Sequence, residues 1–305
     1  MTPREKGFLL LTSHLGNPDR KVLSTAQLRI LADRVQHMPQ PGEDRDLTVH
    51  DLMALGYGRD MAMRILGLLE EEELLDHYIN RGSRLGCVPV TRVSSEYPQI
   101  LRQRLGLDAP GCLWARGDLS ILATPAISLV GSRELRDENR AFAEAVGYHA
   151  AEQGLTLISG NARGADRAAQ DSCLAAGGRV ISIVADELSK HPPRRNVLYL
   201  SEDDFEEGFS AQRALSRNRC IHALGRMVFA AQSDLGKGGT WDGCVKNLRF
   251  GWSPLACFRD GSEASVQLEQ MGAYLIGRED LADFAILKTP DINLFDMEGT
   301  ENVYR

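Results

Sequence analysis

No run of apolar residues in this chain approaches the roughly twenty needed to cross a bilayer. No signal-peptide pattern opens it either, since Arg4, Glu5 and Lys6 are followed only by Phe8-Leu9-Leu10-Leu11. A cytoplasmic protein without membrane contact is expected. Cys87, Cys112, Cys173, Cys220, Cys244 and Cys257 form no CxxC pair and have no histidine at ligand spacing, which argues against a disulfide frame or a metal site and leaves buried thiols. The seven histidines are equally scattered, so structural roles are expected for them. GxGxxG and GxxxxGK[ST] are both missing, so an ordinary dinucleotide enzyme or P-loop ATPase finds no support. An excess of positive charge is missing as well: the formal net charge is −7, a total that discourages nucleic acid as a ligand.

The distribution of that charge changes the picture. Residues 251–305 hold 4 basic against 10 acidic side chains, whereas residues 123–250 balance at 16 of each. Within that middle segment the acids gather in Ser201–Gly208 and the basic residues crowd a set of turns, so a local basic groove remains open. At 305 residues the chain is long enough for two units.

Residues 1–85 read as a small helical domain. Ser24 caps a helix with Leu28, Leu31, Ala32 and Val35 on one face, and Thr48 with Asp51 three residues on approaches a capping box. Gly56 and Gly58 then bend the chain between two short apolar helices. That pattern suits either a helix-hairpin-helix touching phosphate or an ordinary helix pair. Glu70–Glu73 reads as a solvated helix face. Residues 86–124 form a connector broken by Pro89, Pro98 and Pro110. From 125 to 280 strands alternate with helices: AISLVG, LTLISG, RVISIVA, RMVFAA and PLACF as strands, with helices beginning near Asp137, Arg163, Ser216 and Gly239. Such alternation predicts an α/β fold, a Rossmann-like, doubly wound and mainly parallel sheet. Residues 281–305 read as an acidic tail.

In such a sheet, ligands bind beyond the carboxyl ends of the strands, where helix N-termini expose free N–H groups. Four turns are expected at that edge. Gly131-Ser132-Arg133 offers close backbone approach, a hydroxyl and a guanidinium that grips phosphate through two parallel bonds. Ser159, Gly160, Arg163 and Gly164 make the second, with Asp166 as a cap or as a partner orienting an arginine. Arg217-Asn218-Arg219 is the third, and Lys237-Gly238-Gly239-Thr240, opening a helix, is the fourth. Each turn alone suits any strand-to-helix connection; together they favour an anionic ligand.

In order and spacing, YPQIL…DAPGCLWARGDL, LVGSR, LISGNARGAD, RNR and GKGGT resemble the DNA-processing protein A family (DprA, also called Smf) over about residues 45–277. The resemblance implies a single-stranded-DNA groove at the strand ends, phosphate contacts from the residues just named, and dimerisation through the Rossmann-like domain. It further implies handing of DNA to a RecA-type recombinase in recombination or DNA-mediated transformation. Three departures mark a divergent branch, which repair or defence would also suit. GKGGTWDG replaces the family's SGSL-like turn, only a short acidic stretch follows Gly272–Ile276 where relatives often carry a winged helix, and the usual long helical and loop insert after the third strand is replaced by Asp186–Gly208, whose Lys190, Arg194 and Arg195 are candidates to face DNA.

A competing reading is a nucleotide sensor, or a hydrolase of nucleoside monophosphates resembling the lysine-decarboxylase-like group. That group's GGxGTxxE places a glutamate where this chain has Gly243, and Asp242 is one residue early, about 100° around the helix. Trp241 suits either stacking on a base or packing in a core. No catalysis, no cofactor and no metal are expected.

Overall fold

The computed structural model describes residues 1–36 and 47–284. They divide into two compact units. The first comprises Met1–Leu119, Asp186–Pro193 and Tyr199–Gly208; the second comprises Ser120–Ala185, Arg194–Leu198 and the chain from Phe209 on.

The first unit begins with α1 (Pro3–Thr12), α2 (Thr25–Gln36), α3 (Val49–Ala54), α4 (Arg59–Leu69) and α5 (Glu72–Arg84). Reciprocal caps fix the first three of these starts. Thr2 and Glu5, Ser24 and Gln27, and Thr48 and Asp51 each exchange backbone-to-side-chain bonds. Gly56, at φ 85°, turns the chain between α3 and α4. Leu11, Leu23, Leu31, Leu52, Ile65 and Leu68 pack together as the core, with Leu28 against them. Ala32 and Val35, expected on the same face, are exposed, because the core that α2 packs on ends at Leu31. Nor is Glu70–Glu73 wholly solvated. Glu71 accepts from Arg20 (2.5 Å), a buried side chain that also donates to the carbonyls of Leu10 and Leu68 near the ends of α1 and α4.

The stretch 86–124 carries short elements joined by loops. It contains β1 (Val88–Thr91), α6 (Gln99–Leu105) and β2 (Cys112–Arg116), with Pro89 opposite Trp114 in an antiparallel pair. β1 is the terminal strand of the sheet, where a missing N–H is tolerated. β2 also pairs antiparallel with β6 (Val197–Ser201), from Trp114 opposite Ser201 to Arg116 opposite Tyr199. Tyr78, Trp114 and Phe205 pack their rings edge-on or tilted, with centroids 4.6–5.5 Å apart.

The second unit runs β3 (Ala126–Val130), α7 (Asp137–Glu152), β4 (Thr156–Ser159), α8 (Ala165–Ala175) and β5 (Arg179–Ile183). Beyond β6 come α9 (Ala211–Ser216), α10 (Asn218–Leu224), β7 (Val228–Ala230), α11 (Gly238–Phe250), β8 (Leu255–Phe258), α12 (Glu263–Gln270) and β9 (Tyr274–Ile276). The strands hydrogen-bond in the order β1-β2-β6-β5-β4-β3-β7-β8-β9. From β5 to β9 every neighbouring pair is parallel. Every residue of β3, β4 and β7 is buried, as strands covered on both faces require.

Winding starts at β3, proceeds outward through β4 to β5, then returns to the other side of β3 for β7, β8 and β9. The sheet is therefore doubly wound, and its winding reverses between β3 and β7. All five expected strands are present; β1, β2, β6 and β9 are additional. The helix expected near Arg163 begins at Ala165, and the acidic tail lies, from residue 285, outside the described residues.

Candidate functional site

Because β3, β4 and β7 are parallel, the loops after them collect at one sheet edge. Ser132 N–H donates to the Gln232 carbonyl beyond β7 (3.0 Å), and the Ser132 carbonyl accepts from Ala165 N–H at the start of α8 (3.1 Å). Gly164 has φ 81°, and a Cβ there would collide with the Ser132 carbonyl and the Arg133 backbone. Only glycine lets the first two turns touch. A Cβ on Gly160 would likewise strike the Arg217 guanidinium, so the second turn lies against the third. Asn218 Nδ2 donates to the Gly239 carbonyl (3.2 Å), joining the third to the fourth. The four sequence segments thus lie in contact, each against the next.

Their side chains do not share one environment. Arg133, Arg163, Lys237 and Gly238 are exposed, and Gly131, Ser132, Gly164, Asn218, Arg219, Gly239 and Thr240 are partly so. Ser159, Gly160 and Arg217 are buried, which corrects their expected place among phosphate contacts. Ser159 Oγ accepts from Gln170 Nε2 (2.6 Å). The N–H groups of Gly160 and Ala162 both donate to Asp166 Oδ2 (3.1 Å each). Arg217 donates to the Ile183 carbonyl at the end of β5 (2.5 Å). The cause lies in the backbone: Arg217-Asn218-Arg219 is no strand-to-helix turn but the junction of α9 and α10, from which Arg217 reaches inward. Burial pushes the Asp166 carboxyl above its ordinary range, against the pull of the Arg217 charge, of its two amide donors and of Arg133. Asp166 therefore caps the second turn, one of the two roles expected of it.

Sequence reasoning missed a polar cluster beside the first turn. Gln232 Oε1 accepts from Arg136 N–H and its Nε2 donates to the Glu134 carbonyl, each at 3.0 Å. Asn139, wholly buried, donates to the Ala231 carbonyl (2.7 Å) and to Asp260 Oδ2 (2.8 Å), and accepts from Arg136 Nε (3.0 Å). Arg136 also pairs with Asp260. Hydrogen bonds from Ser262 and Asn139 hold the Asp260 carboxyl below its usual range despite partial burial, which alone would raise it. These partners lie so far apart in the chain that no local pattern announces them.

The features of the competing reading fall elsewhere. A Cβ on Gly243 would lie 2.8 Å from Nε2 of the buried His222, so the backbone leaves no room for a carboxylate at that position. Asp242 bonds Lys246 on the surface of α11 (2.8 Å), and Trp241 is half-buried at its start. Of the basic residues in the insert, Lys190 pairs with Glu187 (2.7 Å), while Arg194 and Arg195 are exposed. At the hairpin of α3 and α4, Arg34 lies over the Tyr57 ring, 4.5 Å from its centroid. Among the described residues no three His, Cys, Asp or Glu side chains gather as a metal site, and no helix is long and apolar enough to cross a membrane.

The family model described as DNA recombination-mediator protein A matches residues 89–284. DNA processing protein DprA of Streptococcus pneumoniae is 31% identical over 193 residues, covering 58% of this chain and 68% of that protein. The structure of the pneumococcal DNA processing protein A superposes with a TM-score of 0.66 at 23% identity, over 92% of this chain and 97% of that one. DNA processing protein A from Helicobacter pylori, whose structure concerns its single-stranded DNA binding mode, superposes at 0.55 with 22% identity, over 66% of this chain and 96% of its own.

Proposed function

Since the chain belongs to the DNA recombination-mediator protein A family, we propose that it holds single-stranded DNA by its backbone phosphates at the carboxyl ends of β3, β4 and β7. It would act there in DNA recombination, in the processing of DNA taken up in transformation, or in repair or defence. One observation carries the reading: Arg133, Arg163 and Lys237 are exposed on turns that lie against one another along a single sheet edge. The single-stranded DNA binding mode of the Helicobacter pylori relative supports it.

Exposed cations on adjoining turns suit a flexible chain of phosphates, whose repeat can follow the edge from one turn to the next. Single strands are therefore the preferred form in this reading. In the same reading the protein works without catalysis, cofactor or metal, lies in the cytoplasm, forms a homodimer and delivers its strand to a RecA-type recombinase.

Fluorescence anisotropy with labelled single-stranded and duplex oligonucleotides tests the groove. Single strands should bind more tightly, with log affinity falling against log salt by about 0.7 per phosphate neutralised. Arg133→Ala or Arg163→Ala should weaken binding roughly ten- to a hundredfold, as the loss of one charge-assisted contact implies. Equal affinity for duplex at moderate salt would refute the single-strand reading.

A further inference from the structure

The five residues Ser132–Arg136 leave β3 at the point where the winding of the sheet reverses, and one residue grips them by its main chain and its side chain. Gln232, two residues beyond β7, takes the Ser132 N–H on its main-chain carbonyl, the Arg136 N–H on Oε1, and offers Nε2 to the Glu134 carbonyl, all at 3.0 Å. Exchanging its amide oxygen and nitrogen would set donor against donor and acceptor against acceptor, so only one orientation satisfies the loop. Glu134 N–H is engaged as well, on Ser132 Oγ (3.2 Å). The far end is tied down through Arg136, whose guanidinium meets Asn139 and Asp260. Arg133, between these anchors, projects into solvent.

We propose that Gln232 is a positioning residue for DNA binding, which fixes the Ser132–Arg136 backbone so that the Arg133 guanidinium is presented to the strand already oriented. The inference rests on the groove reading above. A loop free to move would have to be ordered when a phosphate binds, and that entropic cost would be subtracted from the affinity of the arginine it carries. A loop held at both ends has met most of the cost on folding. Gln232 itself need never touch DNA.

The test is a double-mutant cycle on the full chain, read by anisotropy with a fluorescein-labelled thymidine oligomer. Gln232→Ala should weaken binding on the order of five- to tenfold. In an Arg133→Ala background the same change should alter affinity by less than about twofold, while in an Arg163→Ala background the two losses should multiply. Gln232→Met, close to glutamine in size but with neither the acceptor for Arg136 N–H nor the donor to the Glu134 carbonyl, should lose about as much affinity as Gln232→Ala; it also decides the matter if the alanine variant fails to fold. Without DNA, hydrogen exchange at the Arg136 amide, whose acceptor is the Gln232 side chain, should quicken in Gln232→Ala. Losses that multiply with Arg133→Ala as fully as with Arg163→Ala, unchanged affinity, or unchanged exchange would each overturn the positioning role while leaving the groove intact. A wild-type chain that binds no single strand would instead refute the groove, and the role of Gln232 with it.

Discussion

Replacing Arg217 by alanine should unfold this protein more readily rather than merely weaken its hold on DNA. The guanidinium is buried, donates to the Ile183 carbonyl, fills the space that a Cβ on Gly160 would need, and supplies the largest favourable charge acting on the buried Asp166 carboxylate. Its removal leaves a buried acceptor and a buried carboxylate less well compensated. Losing one side of a buried charge arrangement costs about 3–5 kcal/mol. At roughly 2–4 °C per kcal/mol for a chain of this size class, the melting temperature should fall by about 6–20 °C.

Urea and thermal unfolding of the full chain measure this, with Arg133→Ala and the exposed Arg102→Ala as comparisons that should melt close to wild type. A second change, Asp166→Asn, should recover part of the loss, because an amide oxygen still accepts from Gly160 and Ala162 without bringing a charge. The pH dependence gives a further sign. The folded-state value of Asp166 lies above the unfolded one, so its ionisation opposes folding. Stability is full below the ordinary aspartate value and declines as pH rises through the raised one, over a wider pH range once Arg217 is gone. An Arg217→Ala variant that melts like wild type and binds DNA more than tenfold less tightly would show Arg217 to be a ligand contact, and this reasoning to be wrong.

His222 should make the protein acid-sensitive: burial lowers its pKa from 6.5 to about 4, so the unfolded chain takes up a proton that the folded chain refuses. Stability should be complete above pH 6.5 and fall by at most about 3 kcal/mol on the way to pH 4. His222→Phe should flatten that limb in urea titrations, and an unchanged slope would count against the assignment. Incubation with nucleoside monophosphates should release no free base. Gly243→Glu, which restores the carboxylate of the competing hydrolase pattern, should lower the melting temperature through its collision with His222 rather than create that activity; base release by either protein would reverse this.

Five strands were legible in the sequence because AISLV, TLIS, RVISI, VFA and LACF are apolar segments bounded by turns, and covered parallel strands need little else. The four others were hidden for separate reasons. β1 carries Pro89, tolerable only because it sits at an edge. β2 lies among prolines and glycines, β6 follows the polar, proline-bearing run His191–Asn196, and β9 at the other sheet edge is short and only partly buried. At the candidate site, the meeting of the turns could be read from glycine spacing and strand order. Which arginines face outward could not: Arg217 and Arg219 flank the same asparagine, yet helix geometry and the gap over Gly160 draw Arg217 inside. Gln232 carried no signal, since its bonds reach about a hundred residues back along the chain.

The division of the chain has a consequence for how the protein is made. The first unit is assembled from three separated stretches and lacks its last piece, Tyr199–Gly208, until long after Leu119 has been synthesised. That last piece holds the end of β6 on which β2 pairs and the Phe205 ring that packs on Tyr78 and Trp114. At about 5–20 residues per second on the ribosome, the amino-terminal unit waits roughly 5–20 seconds for its completion. Throughout that interval a nascent chain would expose Trp114 and an unpaired strand edge, and would be most open to chaperones, proteases or misassembly. A gene cut after residue 119 would make that interval permanent, so neither unit should be obtainable by a single truncation.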